Sequence, residues 1–236
     1  MTSEADAPQV QSGLSARLSA IDARIADAAR DAGRDPAEIS RIVVTKFHPA
    51  SLVEELHALG VADVGENRQQ ELSAKQAELS ELDLRWHFIG QGQTNKAAAI
   101  RRSAEVVHSV DRDRFADALH RAADDDEPLD VLVQINLTDD AGRGGVVPAE
   151  ARALAEHVLT LPSLRLRGVM AVAPLDEEPA SAFARLHAVA DAIRTVEPSA
   201  TWISAGMTGD FVEAIAAGAT HLRIGSAITG PRPDRG

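Results

Sequence analysis

Short apolar runs alternate with amphipathic helical runs along nearly the whole of this 236-residue chain. The apolar runs are RIVVTK at 41–46, VADVGEN at 61–67, LRWHFIG at 84–90, AEVVHSV at 104–110, LDVLVQINL at 129–137, LRLRGVMAVA at 164–173, ATWIS at 200–204 and THLRIGSAI at 220–228. Helical runs lie between them at 51–59, 67–79, 94–102, 112–123, 148–160, 179–195 and 210–217. Because strands buried on both faces are nearly continuously apolar, the alternation predicts a parallel sheet connected by helices.

Eight strand candidates favour a closed (β/α)8 barrel of the TIM type, a fold of roughly 250 residues that commonly forms one domain. An open doubly wound sheet is the alternative, but no G-x-G-x-x-G follows the first strand and the count exceeds the roughly six strands of that fold. We therefore predict one α/β barrel domain at 12–230, with an extra N-terminal helix from Leu14 to about Arg34 and flexible ends at 1–11 and 231–236.

Composition excludes several classes of function. The chain contains no cysteine, which excludes disulfides and thiolate metal sites. Its formal net charge of −12 would repel a polyphosphate backbone, so we expect no nucleic-acid partner. The first residues lack the features of a signal peptide, and no apolar run approaches the ~20 residues of a membrane span. We expect a cytoplasmic, monomeric protein with no membrane contact.

Polar residues interrupt the apolar runs mainly where the predicted strands end. They are Lys46, Glu66, Asn67, His87, His108, Ser109, Gln134, Asn136, Ser204 and Arg223. In a (β/α)8 barrel the C-terminal strand ends form the active-site face, so this fold gathers these side chains around one cavity. Their convergence is the main indication of a functional site.

Each of these residues also has a simpler interpretation. Lys46 could be a solvated charge at a strand end, and His87 could be a core histidine bonded to a backbone carbonyl. Arg223 could form a structural ion pair with Glu66 across the barrel. The histidines show no H-E-x-x-H or similar spacing, so no metal site is predicted.

Two glycine-rich segments follow the seventh and eighth strands, where such barrels commonly bind phosphate. They are SAGMTGD at 204–210 and RIGSAITG at 223–230. Gly206 and Gly225 would let the backbone approach a ligand, and Ser204, Thr208 and Ser226 supply hydroxyl donors. The glycines could equally be turn residues. A lysine on the first strand facing a phosphate site suggests a phosphorylated aldehyde, a description that pyridoxal 5′-phosphate (PLP) fits.

The chain resembles the YggS/PROSC-like pyridoxal phosphate homeostasis proteins from about residue 12 to 232. The motifs that carry the resemblance are VTKFHPA with Lys46, DVGENRQQEL at 63–72, WHFIGQGQTNK at 86–96, VQINL at 133–137, GVMAVAP at 168–174, SAGMTGDFVEAI at 204–215 and RIGSAITG at 223–230. The resemblance implies a barrel of the alanine racemase N-terminal-domain type (PLP fold type III) without a C-terminal β-domain.

The resemblance also implies PLP held covalently on Lys46 as an internal aldimine. Asn67 would lie close to the cofactor, and the regions of Ser204 and of Arg223, Gly225 and Ser226 would hold the phosphate and ring. Arg223 would approach the pyridine nitrogen. The predicted cofactor-binding residues are Lys46, Asn67, His87, Ser204, Gly206, Thr208, Arg223, Gly225 and Ser226.

A racemase of this fold needs a second acid/base opposite the lysine, which is a tyrosine from the added β-domain in alanine racemases. This chain contains no tyrosine, and only about ten residues follow the eighth strand. We therefore expect no catalytic residue and a non-enzymatic protein that buffers PLP and delivers it transiently to PLP-dependent apo-enzymes in vitamin B6 homeostasis. The alternatives are a weak racemase or lyase using Lys46 with water or His87, and a Schiff-base aldolase without PLP.

Overall fold

Eight parallel strands close into a barrel in the computed structural model, which describes residues 7–124 and 127–232. The strands are β1 (Ser40–Val44), β2 (Asp63–Glu66), β3 (Arg85–Phe88), β4 (Val106–Val110), β5 (Leu129–Gln134), β6 (Leu164–Met170), β7 (Trp202–Ser204) and β8 (His221–Ile224). The helices are α1 (Ala7–Asp31), α2 (Ala50–Ala58), α3 (Gln69–Glu78), α4 (Ala97–Ser103), α5 (Asp113–Arg121), α6 (Ala151–Leu159), α7 (Pro179–Arg194), α8 (Phe211–Ala216) and α9 (Ser226–Thr229). The predicted (β/α)8 barrel is confirmed.

Each strand pairs with its neighbour in the chain, and the pairing of β1 with β8 closes the ring. In that closing pair Ser40 lies opposite His221 and Ile42 lies opposite Arg223. Because every pair is parallel, all strand C-termini open at one end of the barrel, which we call the mouth. Residues that follow different strands are thereby collected around one opening.

The main hydrophobic core lies between the strand ring and the helices around it. Fully buried helix side chains include Leu56 of α2, Leu72 of α3, Phe115 of α5 and Leu186 of α7. Burying a side chain of this size stabilises the fold by roughly 1.5–3 kcal/mol before the entropy cost of ordering it. The inside of the ring, by contrast, holds several polar groups, and these form the site described below.

Helix α1 is the predicted extra helix and packs against the last βα unit. Within the helix, Arg17 donates to the Ile228 carbonyl at 2.7 Å. Just after its end, Arg34 donates to the carbonyl oxygens of Ile215 and Ala219 at 3.0 and 2.7 Å. The helix begins at Ala7, earlier than the domain boundary predicted at residue 12. Residues 1–6 and 233–236, which belong to the predicted flexible ends, lie outside the described part, so the domain bounds stay a prediction.

Within residues 7–124 and 127–232, no helix combines the length and the apolar character that crossing a membrane requires.

Candidate functional site

The amine of Lys46 stands at the mouth, directly after the buried end of β1, and its side chain is exposed. The next residue, Phe47, has a φ of 71°, the only positive value among non-glycine residues of the described chain. Its N–H donates to the Glu71 carboxylate at 2.9 Å. Its ring is contacted by Arg68 at 5.1 Å and by Arg232 at 3.8 Å. Strained backbone of this kind clusters at ligand sites, and the cations around the ring favour an anionic ligand.

Three side-chain and backbone groups beneath Lys46 form a buried cluster, the Thr45–Glu66–Lys75 triangle. Lys75 of α3 reaches inward, and its Nζ lies 2.5 Å from Glu66 Oε1 and 2.9 Å from the Thr45 carbonyl oxygen. The Thr45 hydroxyl donates to the same Glu66 oxygen at 2.7 Å. Burial raises the pKa of Glu66, and the Lys75 charge opposes that rise. The triangle ties the end of β1 to the end of β2 and so fixes the residues that follow, Lys46 and Asn67.

Asn67 follows β2 at the mouth, and its buried Oδ1 has no hydrogen-bond partner. Gly90, just beyond β3, allows this placement because a Cβ there would come within 1.9 Å of the Asn67 carbonyl oxygen. A cavity of about 520 Å³ opens beside Asn67 and is also lined by Arg68, Gln91 and Lys96. Two further buried oxygens without a partner, Glu66 Oε2 and Ser109 Oγ, belong to β2 and β4. Unsatisfied buried oxygens are costly, so Asn67 Oδ1, which lies at the mouth, is a candidate contact for a polar ligand.

Arg223 of β8 places a guanidinium inside the barrel, with 5% of the residue exposed. It donates to Ser204 Oγ at 2.7 Å and to the Ala171 carbonyl oxygen at 2.8 Å. Burial lowers the pKa of Arg223 to about 10, so the group is still a cation at neutral pH. The suggested ion pair between Arg223 and Glu66 is wrong, because Glu66 is bonded to Lys75.

The two glycine-rich segments follow β7 and β8, next to β1 in the ring. Gly206 has a φ of 91° and accepts a hydrogen bond from the Arg223 N–H at 3.0 Å. Half-buried Thr208 lies in the turn that follows. Gly225 precedes the short helix α9, and a Cβ at this position would meet Val44, at the end of β1, at 3.6 Å. Exposed Ser226 is the first residue of that helix. The structure therefore brings both segments to the mouth that carries Lys46.

His87 lies deeper in the barrel and is fully buried. Its Nε2 is 2.8 Å from Asp63 Oδ1, and its Nδ1 is 2.9 Å from His108 Nε2. The simpler interpretation, a bond to a backbone carbonyl, is therefore wrong. Since both ring nitrogens of His87 are engaged, it reaches the mouth only through His108 and Ser204, which are bonded at 2.9 Å. A direct role of His87 in cofactor binding stays a prediction.

A second cavity, of about 710 Å³, lies at the opposite end of the barrel from Lys46. It is lined by strand-start residues such as Arg85, Glu105 and Asp130. These charged side chains form ion pairs with one another, such as the one between an Arg85 guanidinium nitrogen and Asp130 Oδ2 at 2.8 Å. In the described ranges, no group of three or more His, Cys, Asp or Glu side chains is arranged to hold a metal ion. The mouth is the better candidate because the chemically distinctive groups meet there.

Burial of neutral histidines predicts an acid-sensitive fold. Burial lowers the pKa of His87, places that of His108 well below its usual value and brings that of His221 to about 3. Below pH ~6.5 the unfolded chain therefore binds more protons than the folded protein, so stability falls as pH falls. Each such histidine lowers the free energy of unfolding by about 1.4 kcal/mol for every pH unit below pH ~6.5.

We expect the free energy of unfolding, measured by urea denaturation, to decrease steeply between pH 6.5 and 5. Burial raises the pKa of Glu66 and of Glu105, which opposes part of this loss. The variant His221→Gln should reduce the slope of the free energy of unfolding against pH by the contribution of one histidine, ~1.4 kcal/mol per pH unit. Equal slopes in the variant and the unaltered protein would contradict the assignment of a neutral His221.

Sequence reasoning missed two features of the mouth. The first is Lys75, which lies on the inward face of α3 one turn after the buried Leu72. A lysine at the core position of a helix was the signal available in the sequence, because a buried lysine needs a partner such as Glu66. The second is the left-handed backbone conformation of Phe47, which nothing in the sequence indicated, because this conformation is ordinarily recognised by a glycine.

Comparison with known proteins shows which family and which individual proteins this chain resembles. Residues 17–233 match the family described as alanine racemase, N-terminal domain. The chain is 41% identical over 222 residues to the pyridoxal phosphate homeostasis protein of Pseudomonas aeruginosa, covering 94% of this chain and 96% of that protein. It is 40% identical over 222 residues to the protein of the same name from Escherichia coli, covering 91% and 95%.

Among solved structures, it matches PipY of Synechococcus elongatus with PLP bound, with a TM-score of 0.81 and 33% identity, over 92% of this chain and all of that chain.

Proposed function

Because this chain belongs to the alanine racemase N-terminal domain family, and within it to the pyridoxal phosphate homeostasis proteins, we propose that it binds PLP on Lys46 and maintains the supply of that cofactor. The observation that carries the proposal is the exposed amine of Lys46, fixed by a buried strand at the same mouth as the unpartnered Oδ1 of Asn67. PLP supplies an aldehyde that reacts reversibly with amines, which suits a protein that both retains and releases it.

The donors at the mouth fit the parts of this cofactor. Lys46 would supply the amine that binds the aldehyde reversibly, with loss of one water. Arg223 would offer its guanidinium to the ring nitrogen, and Asn67 would supply a polar contact to the cofactor. The glycine-rich turns with Gly206, Thr208, Gly225 and Ser226, together with the Ser204 region, would hold the phosphate. Arg223 cannot transfer a proton to the ring nitrogen as a carboxylic acid does, so this donor set would weaken the ring as an electron sink.

The proposed role is buffering and delivery rather than catalysis. No tyrosine is present in the chain to act as a second acid/base opposite Lys46. His87, the other candidate partner, has both ring nitrogens bonded inside the barrel. The names of the curated relatives also favour homeostasis over enzymatic turnover. We place this activity in the cytoplasm, in a monomer that meets PLP-dependent apo-enzymes transiently.

Transfer of bound PLP to an apo-enzyme tests the proposal. The purified protein is loaded with PLP, freed of excess cofactor and mixed with a PLP-dependent apo-enzyme and a second protein that traps free PLP. We expect the apo-enzyme to regain activity despite the trap, because delivery occurs from the protein. A trap that abolishes reactivation would contradict delivery, and a protein that stays colourless on PLP addition would contradict binding itself. Sustained conversion of L- to D-amino acids would instead support the racemase alternative.

A further inference from the structure

A continuous row of hydrogen bonds crosses the inside of the barrel from Arg223 to Asp63. Its members are Arg223, Ser204, His108, His87 and Asp63, and we call it the Arg223–Asp63 relay. The successive donor–acceptor distances are 2.7, 2.9, 2.9 and 2.8 Å. The three middle residues are fully buried, and Asp63 is 29% exposed at the end of the barrel opposite the mouth. The relay thus connects the proposed cofactor site with the far face of the protein.

Hydrogen-bond chemistry gives the relay one direction. A guanidinium only donates, so Ser204 Oγ accepts from Arg223. At the other end an ionised carboxylate only accepts, so a neutral His87 donates to Asp63 and accepts at its Nδ1, and the same rule one step further makes Ser204 the donor to His108 Nδ1. His108 must then carry its proton on Nε2 and donate to His87 Nδ1. His87 in turn carries its proton on Nε2 and donates to the Asp63 carboxylate. A reversed tautomer at either histidine would place two protons or two lone pairs face to face.

The charges at the two ends agree with this direction. Both histidines are neutral, since burial lowers the pKa of each. Burial opposes ionisation of Asp63, but the hydrogen bond from His87 and the charge of Arg85 outweigh it and lower the pKa of Asp63. Every dipole in the row then turns its negative end to Arg223 and its positive end to Asp63. Aligned hydrogen bonds reinforce one another in a buried setting and stabilise both end charges.

The relay also explains how Arg223 is held. The hydrogen bonds that the structure gives its guanidinium go to Ser204 and to the Ala171 carbonyl oxygen, both uncharged acceptors. The charge of Asp210 also acts on Arg223 and favours the guanidinium cation. The row of aligned dipoles adds to that support, and it ends on the Asp63 carboxylate.

We propose that Asp63, His87 and His108 are positioning residues that orient Arg223 toward the ring nitrogen of bound PLP, so that the opposite face of the barrel sets the cofactor's electronic state. The inference rests on the proposed function, because it assumes PLP at the mouth. It adds Asp63 and His108 to the residues that determine how PLP is held, and it gives His87 an indirect role through Arg223.

Nuclear magnetic resonance of the ligand-free protein tests the direction of the relay without PLP. Long-range ¹H–¹⁵N correlation spectra at pH 7 should show His87 and His108 as neutral rings, each protonated at Nε2. Assignment follows from the loss of one ring's signals in His108→Gln. A protonation at Nδ1 in either ring, or a charged ring, would overturn the proposal.

Removal of the Asp63 charge tests its effect on PLP. The variant Asp63→Asn keeps an acceptor for His87 and, at a partly exposed position, should fold normally. In the loaded variant we expect a shifted absorption maximum and release of PLP about three- to tenfold faster. The matched control Asp22→Asn, a carboxylate outside the relay that pairs with Arg41, should leave both properties unchanged.

Two outcomes separate this inference from the proposed function. An unaltered protein that does not bind PLP would contradict the proposed function. A protein that binds PLP, with the same spectrum and release rate in Asp63→Asn, would overturn the relay's role alone.

Discussion

Replacing Lys46 with alanine should abolish the yellow, borohydride-fixable product and weaken PLP binding about a hundredfold, the equivalent of about 2.7 kcal/mol. The variant loses the amine that forms the C=N bond, whereas Arg223 and the glycine-rich turns remain to hold the ring and phosphate. Weaker, non-covalent binding should therefore persist. Because the Lys46 side chain is exposed, the melting temperature of the ligand-free variant should stay close to that of the unaltered protein.

The chain offers a simple control, since it contains only three lysines, Lys46, Lys75 and Lys96. Lys96 lines the cavity beside Asn67, so Lys96→Ala changes a neighbouring amine. This variant should keep its colour, and peptide mapping after reduction should find the modification on Lys46 alone. Equal PLP affinity in Lys46→Ala and the unaltered protein, measured by fluorescence titration, would refute the role assigned to Lys46.

Replacing Lys75 with methionine should destabilise the fold by about 3–5 kcal/mol, because it leaves Glu66 charged and unpaired inside the protein. The side chain of Glu66 is fully buried and that of Lys75 is 8% exposed, so water cannot replace the lost partner. Methionine matches the length of the lysine stem, which limits the cavity. Urea denaturation at pH 7 measures the loss.

A double-mutant cycle separates the ion pair from packing. Glu66→Gln alone leaves the Lys75 cation without its partner, and the double variant Glu66→Gln, Lys75→Met removes both charges. We expect the double variant to be more stable than the sum of the two single losses predicts, by at least ~2 kcal/mol. Additive losses would show that the Thr45–Glu66–Lys75 triangle contributes packing rather than charge pairing.

The barrel was predictable because strand and helix periodicity are local properties of the chain. Lys46 was also predictable, since a cation directly after a buried strand is conspicuous in a single run of residues. The hydrogen-bond partners of the buried polar side chains were not predictable. His87 and Asp63 are 24 residues apart and Ser204 and His108 are 96 apart, and only the closed ring brings them together. The sequence shows that polar side chains enter the barrel, but their pairing depends on strand register.

The attachment of α1 has a consequence for synthesis of the chain. Arg17 of α1 and Arg34 just after it bond to backbone carbonyls in and near α8 and α9, which lie 181 to 211 positions further along the chain. The helix leaves the ribosome before the barrel strands, yet its apolar side, with Leu14, Leu18 and Ile21, finds its native surface only after the last βα unit has been made. Contacts between residues so far apart in the sequence slow folding. Until they form, the apolar side of α1 stays exposed and prone to aggregation. The first helix is thus among the last parts to dock, and a ribosome stalled before β8 would hold a chain whose barrel cannot close.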